Sequence, residues 1–448
     1  MSSKNFFADT PPIKLFFIAV IPGIISMLAS SLYGLIDGVF VGRILGDTPF
    51  AALNLAFPFV VINFSLADLI GVGSSVPISI SLGKGEDDKA NNYFTCACLM
   101  ILVTGILMGI LLFAAAPLLI GLMGAEGELA VFAVRYLRVY AICSPITTIV
   151  FAMDNYLRIC GRVRTSMALN IAMAVISAVL EFILLGVLGW DIRGAAIATC
   201  AGMCVCAVAA FSLFVRGNMQ LKLCRPKFSM SMIRQVVACG CPNFLNNIAG
   251  RLTSIIMNVV LLRMGGESAV SIYGILMYVN EFVQPILYGI CDSLQPAVGY
   301  NWGAADYKRV SAIEKCCFTA AAVVSLISSA VIFLIPEELA SLFVAGSGSE
   351  LISASGQALT LFSLTYVTRW FSFAAQSYML AVDRPVSASV ISFSTAFIFP
   401  VILIAVLYPL GLTGLWLNFA VTSLLAAVLA GGVLAVFAKD LKKRKITA

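Results

Sequence analysis

The 448-residue chain contains no histidine. That excludes imidazole metal ligands and histidine proton relays, so any proton-coupled function has to use carboxylates. Charge is scarce as well. Asp, Glu, Lys and Arg make up 11% of the residues, where soluble domains carry roughly 25%. With 61% hydrophobic residues and a mean hydropathy of +1.02, a globule of this size has too few charges to solvate its surface. That surface must face lipid. Cysteine is present, thirteen in all, but no C-x-x-C spacing occurs. The thiols stand as singletons, as C-x-C pairs such as Cys96/Cys98, or as the neighbours Cys316–Cys317, mostly inside apolar runs. They read as small apolar packing residues, not as a disulfide framework or zinc ligands. No cleavable signal pattern is evident either. The first apolar run, Leu15 to Val41, is too long and lacks a small-residue cleavage site, so it is expected to stay as the first span.

What the chain does have is a series of long apolar runs, each exceeding the ~20 residues that cross a bilayer. Twelve are read, near 14–41, 50–82, 92–116, 129–156, 163–188, 194–215, 232–262, 268–301, 310–335, 353–380, 386–408 and 412–437. The breaks carry turn signals such as Gly83-Lys84-Gly85, Gly161-Arg162 and Gly265-Gly266. The expected fold class is therefore an all-α polytopic membrane protein. Its expected domains are an amino-terminal lobe (1–215), a linker (216–231), a carboxyl-terminal lobe (232–437) and a basic tail (438–448).

Basic residues orient it. The two termini and the even-numbered connections hold 21 Lys and Arg, against three (Arg43, Arg193, Arg263) in the odd-numbered ones. The positive-inside rule then predicts both termini in the cytoplasm. The tail Lys442-Lys443-Arg444-Lys445 reads as a topology determinant beside anionic lipid, with no nucleic-acid partner.

The halves echo each other at an offset near 220 residues. Leu82-Gly83-Lys84-Gly85-Glu86 stands opposite Trp302-Gly303-Ala304-Ala305-Asp306, and Tyr156 through Arg162 opposite Tyr378 through Arg384. Arg193-Gly194-Ala195 likewise stands opposite Thr413-Gly414-Leu415. Six spans per half give both halves the same orientation, as in parallel repeats. Two pseudo-symmetric six-helix lobes with a central cleft are expected.

A charge inside a membrane helix is costly and marks function by default. In the first half this singles out Asp37 and Glu181. In span 1, Ser26, Ser30, Tyr33 and Asp37 form one polar stripe at helical spacing, and Pro22 offers a place to bend below it. In span 5, Asn170, Ser177 and Glu181 share a face. Burial disfavours the ionised form of a carboxyl group, so Asp37 and Glu181 suit holding a proton, a sodium ion or a cationic substrate. Near the membrane surface, the same acids would simply meet water. The second half shows Asn243, Asn247, Arg251, Ser254 and Asn258 in span 7. Span 8 shows Glu281, Tyr288, Asp292 and Gln295, and span 10 Arg369, Ser372 and Gln376. There, pairing of Arg251 or Arg369 with Glu281 or Asp292 competes with direct handling of substrate or ion. Arg135 and Arg138 lie near one end of span 4, where they can snorkel. Sixteen Met and thirty Phe supply adaptable apolar surface that suits loose binding of flat, hydrophobic molecules.

These residues resemble the multidrug and toxic compound extrusion (MATE) family, nearest its bacterial DinF/MepA-like branch. The resemblance rests on Leu32-Tyr33-Gly34-Leu35-Ile36-Asp37-Gly38-Val39-Phe40-Val41-Gly42-Arg43, on Gly71-Val72-Gly73 and on Ser79-Ile80-Ser81-Leu82-Gly83-Lys84-Gly85. It continues through Asn155-Tyr156-Leu157-Arg158, Arg193-Gly194-Ala195-Ala196-Ile197-Ala198-Thr199, and Gln295-Pro296 with Gly299-Tyr300-Asn301-Trp302-Gly303-Ala304. It implies twelve helices in two lobes and export of organic cations or amphiphilic drugs against inward H⁺ or Na⁺. It implies no other cofactor or metal, a monomer in the cell (inner) membrane, and a transporter rather than an enzyme. It also implies a coupling site of Asp37, Glu181 and Thr199, with Ser177 where the family usually has Asn, and Pro22 as the bend in span 1. A flippase for lipid-linked sugars on a related scaffold is the alternative, which the interior Arg251 and Arg369 would serve.

Overall fold

The computed structural model describes residues 3–217, 219–343 and 349–447, and the described residues contain helix and no strand. The helices are α1 (Ser3–Asp9), α2 (Pro12–Phe40), α3 (Asp47–Gly83), α4 (Asp87–Leu122), α5 (Gly127–Thr147), α6 (Ile149–Ile159), α7 (Val163–Glu181) and α8 (Ile192–Val215). They continue with α9 (Met230–Asp292), α10 (Gln295–Gly303), α11 (Tyr307–Leu334), α12 (Pro336–Ser341) and α13 (Ser349–Ser363). The last four are α14 (Thr365–Ala381), α15 (Pro385–Phe393), α16 (Phe399–Leu407) and α17 (Gly411–Thr447). Among the described residues nine continuous helical stretches are long and apolar enough to cross a membrane. Two of these, Met230–Gly303 with 74 residues and Pro385–Leu441 with 57, are each too long for one crossing. They break at Gly266 (φ 63°) and Gly411 (φ 66°), where only glycine takes the left-handed backbone freely. Each therefore contributes two crossings, and α13 with α14 supplies one more, so the reading of twelve holds.

The chain divides into two compact units. Unit 1 comprises Met1–Gly240 and Gly299–Asp306, and unit 2 comprises Cys241–Val298 and Tyr307–Ala448. The division falls inside α9, later than the expected boundary at 232, and the second half of α10, from Gly299, falls in unit 1. The reason is close backbone packing. A Cβ on Gly73 would collide with the Val236 carbonyl oxygen, and one on Gly240 with the Leu69 carbonyl. Gly83 faces the Tyr300 carbonyl, and Gly303 faces that of Ile80, in the same way. Where small residues let helices approach this closely, dispersion holds them without any hydrophobic drive from lipid. The linker is also held in unit 1. Asn91 Oδ1 accepts from Lys222 N at 2.8 Å, and Asn92 bonds Lys227 N and O at 2.7 and 3.0 Å.

The two halves repeat in backbone detail. After α3, Glu86 N donates to Ser81 O and Gly85 N to Leu82 O, while after α10 Asp306 N donates to Asn301 O and Ala305 N to Trp302 O. After α6 and α14 the same pair recurs, Arg162 N to Leu157 O with Gly161 N to Arg158 O, and Arg384 N to Met379 O with Asp383 N to Leu380 O. Each is the paired 6→1 and 5→2 closure that ends a helix through one left-handed residue. The first half uses glycine there (Gly85, φ 78°; Gly161, φ 72°), whereas the second uses Ala305 and Asp383, both at φ 59°.

Unit 1 packs around Phe94, whose ring meets Tyr156 edge-on at 5.1 Å and Phe214 at 5.0 Å. A second apolar cluster, including Val41, Ala56, Tyr136, Leu185 and Ala196, lies in the same unit. Unit 2 centres on Phe362, which meets Tyr366 at 5.7 Å and Phe419 at 5.2 Å. An alanine held left-handed costs roughly 1–2 kcal/mol. Ala305→Gly should therefore raise stability by about 1 kcal/mol, read as a higher thermal midpoint in detergent, whereas Gly85→Ala should lower it by a similar amount.

Candidate functional site

Asp37 lies three residues from the end of α2, on a helix that is otherwise apolar, and is 4% exposed. Tyr136 of α5, fully buried, donates its hydroxyl to Asp37 Oδ2 at 2.9 Å. Tyr140, one turn on, lies against Tyr136 with ring centroids 5.1 Å apart. Glu181 is the last residue of α7 and is 1% exposed. Its Oε1 accepts from Thr199 Oγ1 of α8 at 3.0 Å. The carboxyl groups of Asp37 and Glu181 face each other within interaction distance. Ser177, one turn before Glu181, is buried against Gly202, where a Cβ would strike its hydroxyl. Thus Asp37, Ser177, Glu181 and Thr199, three of which also carry the sequence's polar pattern, line one buried region where α2, α5, α7 and α8 meet. A π-helical turn follows each acid, Val41–Leu45 after α2 and Phe182–Val187 after α7. Such turns are rare and favour functional positions.

The chemistry follows from what is missing around these oxygens. Among the described residues, Asp37 Oδ1, Glu181 Oε2 and Ser177 Oγ are buried and receive no hydrogen bond. Among the ion pairs of the described residues, none reaches Asp37 or Glu181. Two buried carboxylates without a basic partner are strongly disfavoured. A proton or a cation between them relieves that penalty, and the donor set (carboxylate and hydroxyl oxygens) suits a hard ion. Among the described residues no group of three or more His, Cys, Asp or Glu is arranged to hold a metal.

The span 1 stripe does not form a single site. Ser26 and Ser30 turn to a second polar layer built on α6 and α7. Arg158, 3% exposed, pairs with Asp154 Oδ2 at 2.7 Å one turn earlier on α6. Its Nη2 and Nε also reach Ser26 Oγ at 3.4 Å and Ser166 Oγ at 3.3 Å. Asn170 Nδ2 donates to Ser26 Oγ at 2.6 Å and Asp154 Oδ1 at 2.7 Å, and its Oδ1 accepts from Ser30 Oγ at 3.4 Å. Ser166 donates to Asp154 as well. A cavity of about 10 Å³ adjoins Asp154 and Asn170. Asp154, and Asp68 of α3 within its electrostatic reach, are membrane acids that the sequence reading passed over. Their signal was available, since both lie inside apolar runs. Arg158, counted there among the basic connections, is instead buried in a helix. The side chain of Tyr33 lies outside the described residues. Pro22 stands inside α2, which continues as helix on both sides of it.

Unit 2 carries a polar chain of its own. Tyr366 OH donates to Asn280 Oδ1 at 3.0 Å, Asn280 Nδ2 to Gln284 Oε1 at 2.7 Å, and Gln284 Nε2 to Tyr288 OH at 2.9 Å. Arg369 joins at Gln284 Oε1 at 3.3 Å, and Asn246 at Tyr288 OH at 3.1 Å. Asn246, Asn280, Gln284 and Tyr366 were not singled out by the sequence, which pointed instead to the partly buried Asn247. Asp292 Oδ1 accepts from Gln295 at 2.7 Å and Ser377 at 3.3 Å. Glu281 and Arg251 are exposed on α9 and lie within electrostatic reach of each other. Of the two span 4 arginines, Arg135 pairs with Asp191 at 2.9 Å and Arg138 sits over the Phe113 ring at 5.0 Å.

The MatE family model matches residues 22–183 and 242–406, and the first stretch contains Pro22, Asp37, Ser177 and Glu181. The chain is 24% identical over 342 residues to the multidrug export protein MepA of Staphylococcus aureus, covering 75% of each chain. It is 26% identical over 328 residues to MepA of Staphylococcus saprophyticus, covering 72% of each. A solved structure described as the outward-facing conformation of a multidrug resistance MATE family transporter of the MOP superfamily has the same fold. Its TM-score is 0.93 at 22% identity, covering 99% of both chains.

Tyr136→Phe removes the donor to Asp37 Oδ2 while keeping the ring. Leaving a buried acceptor unpaired costs about 1–3 kcal/mol. The thermal midpoint in detergent should therefore fall.

Proposed function

The chain belongs to the MATE family, of the MepA-like type, and on that premise we propose that this transporter is a secondary active multidrug antiporter. It exports organic cations and amphiphilic drugs across the cell membrane in exchange for protons, with sodium as the alternative coupling ion. Both termini lie in the cytoplasm, where the basic connections and tail meet anionic lipid. The protein works as a monomer and needs no cofactor beyond the coupling ion.

One observation carries this reading: Asp37 and Glu181 are buried together with no basic partner among the described residues, and each keeps an acceptor oxygen that no described residue uses. Asp37 is the coupling group. Ionised, it favours the state that holds a cationic substrate. Neutralised from outside, it loses that preference, α2 is freed to bend near Pro22, and substrate leaves. Glu181 shares the coupling ion, Thr199 and Tyr136 orient the two carboxyl groups, and Ser177 offers a further oxygen. Coupling arises because ion and substrate bind with opposing preference for the two states, a differential free energy that no amount of uniform affinity replaces. Soft Met and Phe surface accommodates substrates of different shape.

The decisive measurement is ethidium flux in proteoliposomes with a pH gradient and a sodium gradient imposed separately. The parent protein should transport under at least one of the two, and Asp37→Asn should lose at least about tenfold in rate, the scale of one charge-assisted interaction. Parental flux by Asp37→Asn would remove Asp37 from the mechanism. Binding of a lipid-linked pyrophosphate with no dye flux would put a flippase in place of the antiporter.

A further inference from the structure

Helix α2 meets unit 1 at two polar levels. The outer one is Asp37, which faces Tyr136 of α5, Glu181 of α7 and Cys200 of α8, with Tyr140 behind Tyr136. The inner one is the pair Ser26 and Ser30, which lie on Asn170 and Arg158. Pro22 stands one turn before Ser26. It has no N–H to give to the carbonyl four residues earlier, and its ring crowds that carbonyl, so α2 bends more easily there than elsewhere. A bend at Pro22 moves Ser26, Ser30 and Asp37 together, as one lever.

From this geometry we propose that the Asp154–Arg158–Asn170 network is a releasable latch that positions α2 in its straight form, acting on it through the hydroxyls of Ser26 and Ser30. Its construction fits a contact made and broken in each cycle. When α2 leaves, Arg158 keeps its ion pair with Asp154 and its bond to Ser166. Asn170 Nδ2 keeps Asp154 Oδ1 and the Ser166 carbonyl at 3.1 Å. No buried charge is stranded, so release costs only hydrogen bonds to two hydroxyls. Had α2 supplied the carboxylate to Arg158, each release would leave a buried ion unpaired, a far larger cost. Arg158 and Asn170 are thus positioning residues. The inference rests on the proposed transport cycle in supposing that α2 moves, but it concerns a different set of atoms from the coupling site.

The test is the distance distribution between spin labels at Val39 on α2 and Val175 on α7, both more than half exposed. Labels enter through an unnatural amino acid, so that the thirteen cysteines stay in place. Ser26→Ala should raise the ratio of bent to straight populations about three- to tenfold, the range of one modest hydrogen bond. Ser26→Thr, which keeps the hydroxyl, should restore the parental distribution. Ser30→Ala, which removes only the longer bond, should shift the ratio in the same direction by less, and serves if Ser26→Ala fails to fold. A parental distribution in both alanine variants, or a shift toward the straight form, overturns the latch. Failure of the coupling assignment is seen separately, as parental ethidium flux by Asp37→Asn.

Discussion

Placing two carboxyl groups together in a low-dielectric interior, with no lysine or arginine among the described residues to neutralise them, is the constraint on which the rest of this molecule turns. The pair Asp37 and Glu181 is buried among apolar walls and tyrosines, where uncompensated negative charge is strongly disfavoured. A protein that needed only stability would replace such a pair with packed hydrocarbon. Retaining it makes sense where an ion must come and go, because the penalty itself creates affinity for a proton or a small cation. In the proposed cycle, the oxygens that lack donors are the positions at which an external charge would act.

The layer beneath shows the opposite solution to the same problem. Asp154 is as awkward a residue in a membrane helix as Asp37, yet it is matched by Arg158 on the next turn and by donors from Ser166 and Asn170. Its charge is compensated whether or not α2 is present. Polar networks satisfied in this way fix geometry, and those left incomplete respond to ligands. Unit 1 contains one of each, some two to three helical turns apart along α7, and both touch α2. Helix α2 therefore joins a level with unused acceptors to a satisfied one, with a proline beside the second.

Much of this was legible in the residues. The apolar runs, their number and the repeated turns are local properties, and the chain's recurring backbone closures at Gly85 and Ala305, and at Gly161 and Asp383, follow the echo between the two halves of the sequence. Asp37, Glu181 and the serine stripe stood out because a polar residue on a greasy helix is conspicuous. Asp154, Asp68, Asn246, Asn280 and Gln284 did not. Asp154 sits near the end of the fourth apolar run, where a charge is expected to reach water, although the structure places it in the middle of α6, and amides in unit 2 carry no spacing that distinguishes a buried chain from a solvated face. The π-helical turns after both acids leave no mark in composition at all.

Sequence alone determined that the chain is membrane-embedded, twelve-spanning and duplicated, because those facts depend on hydropathy and spacing summed over many residues. It could also nominate acids, since their presence in lipid is improbable whatever surrounds them. Only the tertiary structure decided which polar groups meet. Tyr136 lies 99 positions from Asp37, and Asn170 lies 144 from Ser26, and no periodicity within one helix can pair side chains across such separations. Helix packing sorted the span 1 stripe into two levels with different degrees of satisfaction, and that difference follows from which neighbours bring donors.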